Sequence, residues 1–204
     1  FIPTVERLAQ EIIPGHIPVL YCENFYNYKI RWYKQSTNNL EKYNFISLPK
    51  LHRTNILMHT LIGHELFHPC CEEFTDQHRN DIAYNITKMV ETQFPDDFNS
   101  GDLFGKRRSD IVNNYLMDMW KRALHEIMCD MFCTAIFGPA ALLAMRAYAS
   151  FTELKTMPGP ENNFYPPLQY RFETVWKYAI DMDALGKLCI GDNEVIKAFA
   201  SEIN

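Results

Sequence analysis

The five residues His64-Glu65-Leu66-Phe67-His68 narrow the folds open to this chain more than any other stretch. On a helix over 54–68, His64 and His68 stand four apart and about 40° from each other around the axis. Two imidazoles on one face then take two corners of a tetrahedral zinc site. Glu65 falls about 100° away, beside the metal rather than on it. From there a carboxylate can take a proton from the attacking water and later deliver it to a leaving amine. The helix carries Leu57 and Leu61 on the histidine side and Ile62 and Leu66 on the other, so it is apolar all round and predicted to be buried. Thr54 or Asn55 is its expected N-cap, Gly63 permits close approach of a neighbouring backbone, and Pro69 is expected to end or turn it.

A catalytic zinc takes three protein ligands and keeps one position open. A long helix is predicted from Ser109 or Asp110 to Phe137, stopped by Gly138-Pro139, and it offers Glu126 as third ligand. Asp130, one turn on, can accept the free ring N–H of a ligand histidine and set its tautomer. The competing reading is a solvated acidic stripe. Against it, the same face holds Met119, Ala123, Cys133 and Phe137, among which unpaired carboxylates are costly to bury. Cys133 is the other candidate ligand, with a buried free thiol as its competing role. Of the other histidines, His59 reads as core or as a residue backing the ligands, His78 as solvated, and His16 and His52 as loop residues.

The rest of the chain supplies a frame. A short amphipathic helix over 4–13 ends at Pro14-Gly15. Strands are predicted at Ile17–Cys22, Tyr26–Tyr33 and Tyr43–Leu48, with a turn at Ser36-Thr37-Asn38-Asn39, and are expected to form a small antiparallel sheet. Tyr43–Leu48 is the strand expected to edge the cleft and pair with an extended peptide. Helices follow over 72–93, 140–151, from Pro167 to about Leu185, and at the end of the chain, with loops over 95–108 and 152–163. The fold class is α+β, mostly helical, and residues 1–204 read as a single domain: strand-rich 15–50, site helices 52–150, helical 165–204.

The ordered set of motifs resembles the gluzincin zinc peptidases, thermolysin-type and especially HtpX-like and Oma-type. In those, H-E-x-x-H is followed by E-x-x-A-D on a later helix and then by a His-Pro…Arg element. This chain has Glu126-Ile127-Met128-Cys129-Asp130, then Tyr165-Pro166-Pro167-Leu168-Gln169-Tyr170-Arg171, with the family's six-residue offset to the arginine. Cys129 stands where the family has Ala, one small residue for another, and Tyr165 where it has His. The resemblance implies a zincin-like fold and Zn2+ held by His64, His68 and Glu126. It implies catalysis by Glu65, with Tyr165 donating to the oxyanion or packing as an aromatic, and Arg171 as a structural partner near the site. The substrate implied is a peptide or protein. The alternative is a catalytically silent, zinc-stabilised module that binds a peptide.

Composition bounds the partners. A formal net charge of −5 with no basic stripe argues against nucleic acid. The longest apolar run, near 131–151, is broken by Gly138-Pro139 and carries Arg146, so no membrane span is expected. Six cysteines in apolar or helical stretches read as reduced, buried thiols, hence a reducing, cytoplasmic compartment. The chain starts at Phe1 and reads as part of a longer one.

Overall fold

In the computed structural model, residues 2–24, 28–33, 42–93, 95, 108–149 and 165–181 are described. Helix α1 (Ile2–Ile12) buries Val5 and Ala9, four apart on one face, with Ile13 just beyond its end. Gly15 at φ 77° then turns the chain into β1 (His16–Glu23). Strands β2 (Lys29–Tyr33) and β3 (Lys42–Pro49) complete a three-stranded sheet in the order β1-β3-β2.

The sheet is mixed rather than antiparallel. β1 runs parallel to β3, pairing Leu20 with Ile46 and Cys22 with Leu48, while β2 runs antiparallel to β3, pairing Ile30 with Ile46. The middle place goes to β3 because its side chains are covered on both faces: Asn44, Ile46 and Leu48 alternate with buried Ser47 and Pro49. β2 buries Ile30 but exposes Lys29 and Arg31, a pattern suited to a sheet edge. The strand bordering the cleft is therefore β2, and the expectation that Tyr43–Leu48 would do so is corrected.

The site helix also departs from expectation. It begins as one turn, α2 (Ile56–His59), capped by Asn55, whose side chain accepts from the Met58 N–H at 3.3 Å. After Thr60 it resumes as α3 (Leu61–Gln77) and runs straight through Pro69. A helix-interior proline costs roughly 3 kcal/mol. Burial beyond the proline offsets it: Cys71 and Thr75 are both buried, Cys71 against Cys129 and Thr75 on His125. The break lies instead at His78, after which α4 (Arg79–Gln93) begins.

Helix α5 (Arg108–Phe137) packs along α3, and α6 (Pro139–Ala149) follows after Gly138 at φ 57°. Helix α7 (Leu168–Asp181) lies on both, burying Val175 and Ala179 against Leu142. The main core joins α1, the sheet, α2, α3 and α6 through Val5, Ala9, Ile30, Ile46, Met58, Ile62, Leu66 and Met145. The close approach at Gly63 is made by a ring: a Cβ there would lie 2.5 Å from Phe137 Cε2. His16 opens β1 and bonds Asn44, and His52 is buried on the Tyr28 hydroxyl at 2.9 Å, so neither is a loop residue in solvent.

The five described cysteines are free thiols. Among the described residues, no helix is long and apolar enough to cross a membrane. The turn at 36–39, the expected loops over 96–107 and 152–163, the C-terminal helix and Cys189 lie outside the described residues.

Candidate metal centre

Three helices deliver the charged residues to one cavity of about 640 Å³. α3 places His64, Glu65 and His68, α5 places Glu126 and Asp130, and α7 places Arg171. All six are buried or nearly so, because the cavity lies where α3 and α7 both pack against α5. The edge strand contributes Lys29 and Ile30, α6 contributes Met145 and Tyr148, and Tyr165 stands half-exposed at the rim.

His64 is held from behind. Its Nδ1 lies 2.7 Å from Asp130 Oδ1, which leaves Nε2 as the outward nitrogen. That Nε2 is 3.4 Å from Glu126 Oε2, and His68 Nε2 is 3.8 Å from Glu126 Oε1 and 3.9 Å from Glu65 Oε2. Arg171 closes the rear: Nε and Nη2 donate to the two Asp130 oxygens at 2.7 and 2.9 Å, and Nη1 reaches Glu126 Oε2 at 3.0 Å. The fork-to-fork pairing is the geometry for which a guanidinium is shaped.

The electrostatics follow from burial and neighbours. Burial raises the Glu126 and Asp130 carboxyls, but Arg171 and His64 outweigh it and hold both at about 2. For His64, burial opposes charge, but Asp130 and then Glu126 hold the ring's proton up to about 10. Burial and the neighbouring His64 push His68 down to about 4, so its ring is neutral at neutral pH, the form that binds a metal. Burial first, against the opposing pull of His64, raises Glu65 to about 7, where the backbone N–H of Ile30 also bonds it.

Does this set of groups suit a zinc ion? With Glu65 ionised, three buried carboxylates face the Arg171 guanidinium and the His64 imidazolium, and the deficit is one positive charge. A divalent cation that displaces the His64 proton brings the sum to zero. The nitrogens facing Glu126 belong to one neutral imidazole and one that carries an exchangeable proton, both usual zinc donors. The groups fit.

Two donor sets overlap here. The Glu126 carboxylate lies within 3.8 Å of both Nε2 atoms. A ring nitrogen of each histidine and Cys129 Sγ also lie within 4.8 Å of one another. Glu126 faces the cavity and is an anion already. Burial, Cys71 and then Glu126 hold the Cys129 thiol well above its ordinary range, so it keeps its proton in the absence of a cation. Cys133 donates to the Thr60 carbonyl at 3.1 Å and serves as a buried thiol, not a ligand.

Sequence reasoning named His64, Glu65, His68, Glu126, Asp130, Tyr165 and Arg171, and the fold brings all seven to one cavity. It passed over Tyr148 and Ile30, whose apolar neighbours in sequence carry no signal of a cavity, and treated Cys129 as inert. The signal for Cys129 was its place inside the acidic motif, one residue before Asp130.

No family model, curated protein or solved structure was found to match this chain.

Proposed function

We propose that the chain is a zinc-dependent peptidase domain of the gluzincin kind. The observation that carries this reading is the meeting of His64, His68 and Glu126 at one cavity, with Glu65 beside them and Asp130 and Arg171 behind. His64, His68 and Glu126 would hold the zinc. When bound, the ion supplies Lewis acidity, which polarises a carbonyl and acidifies water.

The protein's own groups do the rest. Glu65 takes the proton of the attacking water and hands it to the departing amine; an acidity near neutrality suits a group that must do both. Asp130 holds His64 with Nε2 outward, and Arg171 keeps Asp130 and Glu126 ionised. The Tyr165 hydroxyl, at the cavity rim, donates a hydrogen bond to the developing oxyanion. The strand β2, with Ile30 bonded to Glu65, is the edge along which an extended peptide would lie.

Zinc content and peptide hydrolysis of the wild type and Glu65→Gln test this. Stoichiometric zinc in both, with hydrolysis in the wild type reduced by about 10²–10⁴-fold in the variant, supports the enzyme. Zinc bound by both with no turnover of any peptide supports the silent peptide-binding module, and no zinc in either ends both readings.

A further inference from the structure

Cys129 is fully buried on α5, three residues past Glu126, so both side chains approach the same two histidines from one helix. Glu126 comes from the cavity side and Cys129 from the protein interior. Its Sγ is within 4.8 Å of a ring nitrogen of His64 and of His68, and 3.5 Å from Cys71 Sγ on α3. Cys71 lies beyond Pro69, on the turns that the helix would not have if it ended there. The thiol therefore has two places to turn: its partner thiol or the metal position.

We propose that Cys129 is a fourth, displaceable ligand of the same zinc, so that the centre carries its own closed state. This rests on the reading of His64, His68 and Glu126 as zinc ligands. The metal–sulfur bond would form as the S–H bond breaks, its proton leaving to the buffer and the water it displaces leaving to solvent, with no change in oxidation state. Zinc readily takes one sulfur beside nitrogen and oxygen donors. Four protein donors complete a tetrahedron and fill the corner a catalytic site keeps for water. With the sulfur turned back to Cys71, three donors remain and the corner is open. An alanine at 129 would leave no such choice.

The test is to load the protein with Co2+ and record its absorption. A sulfur-to-cobalt charge-transfer band in the wild type, lost in Cys129→Ala and kept in Cys71→Ala, is the expected result. Cobalt bound with only ligand-field bands overturns the proposal, as does a band that persists in Cys129→Ala or follows Cys71. Should Cys129→Ala fail to fold, X-ray absorption of the wild-type zinc protein decides. A sulfur neighbour at about 2.3 Å supports the proposal, and nitrogen and oxygen neighbours alone overturn it. Failure to take up one cobalt per chain, or uptake unaffected by replacing both His64 and His68, overturns the metal-site reading and the proposal with it.

Discussion

Asp130 serves two partners at once, accepting from Arg171 on both oxygens and from His64 on one. In Asp130→Asn the amide can still accept from His64, but its NH2 group meets the Arg171 donors head-on. A buried guanidinium then loses its bidentate partner, and breaking such a pair costs roughly 3–5 kcal/mol. Urea unfolding of the metal-free proteins should show a loss of that order, and competition with a chromophoric chelator should show zinc affinity down about 10–100-fold. A loss in affinity with stability unchanged would mean that Arg171 is not seated on Asp130. This cluster was legible residue by residue. Helical spacing placed His64 with His68 and Glu126 with Asp130, and the cost of burying bare carboxylates said that they would meet. Arg171 needed the family resemblance, because nothing local marks an arginine on α7 as the counter-ion.

At the scale of elements, local signals and long-range pairing part company. The Asn55 cap, the stop of α5 at Phe137 and the start of α6 were read correctly to within a residue, since they depend on neighbours in sequence, whereas α5 begins at Arg108 and takes both expected caps, Ser109 and Asp110, into its first turn. The strand order was not, because two strand-like runs of similar composition do not say which one is covered on both faces. Pro69 misled for a related reason: its local penalty is offset by Cys71 and Thr75, whose partners lie on α5. A Cβ at Gly63 would run into the Phe137 ring, so the absence of a side chain there lets α3 and α5 pack as they do beside His64. Gly63→Ala should therefore destabilise by about 1–3 kcal/mol despite its better helix propensity. Trimming the ring with Phe137→Leu should recover part of this, which a double-mutant cycle measures.

For the whole molecule, the acid–base balance sets how stability changes with pH. His64 is raised from 6.5 to about 10 in the folded, metal-free protein, so its contribution is present in full below 6.5 and is lost as pH rises through 10. Glu65, raised from 4.5 to about 7, acts in the same direction over its own range. Thermal melts of metal-free protein should thus decline from pH 6.5 toward 10. Zinc should reverse the trend, because a cation replaces the His64 proton and binds more tightly as pH rises. At a free zinc concentration one hundred times Kd the ion should add about 2.7 kcal/mol, removable by chelator. Melts with the same alkaline slope with and without zinc would place the ion away from His64.

The centre draws on α3, α5 and α7, and its guanidinium comes from the last described helix. During synthesis on a ribosome the two histidines emerge long before Arg171. A nascent chain ending before α7 would hold Glu126 and Asp130 with His64 as their one cationic partner among the site residues described above, and the second carboxylate would be left uncompensated. A metal centre at this site would therefore be complete only once Arg171 has been made, when nearly all of the described chain is in place.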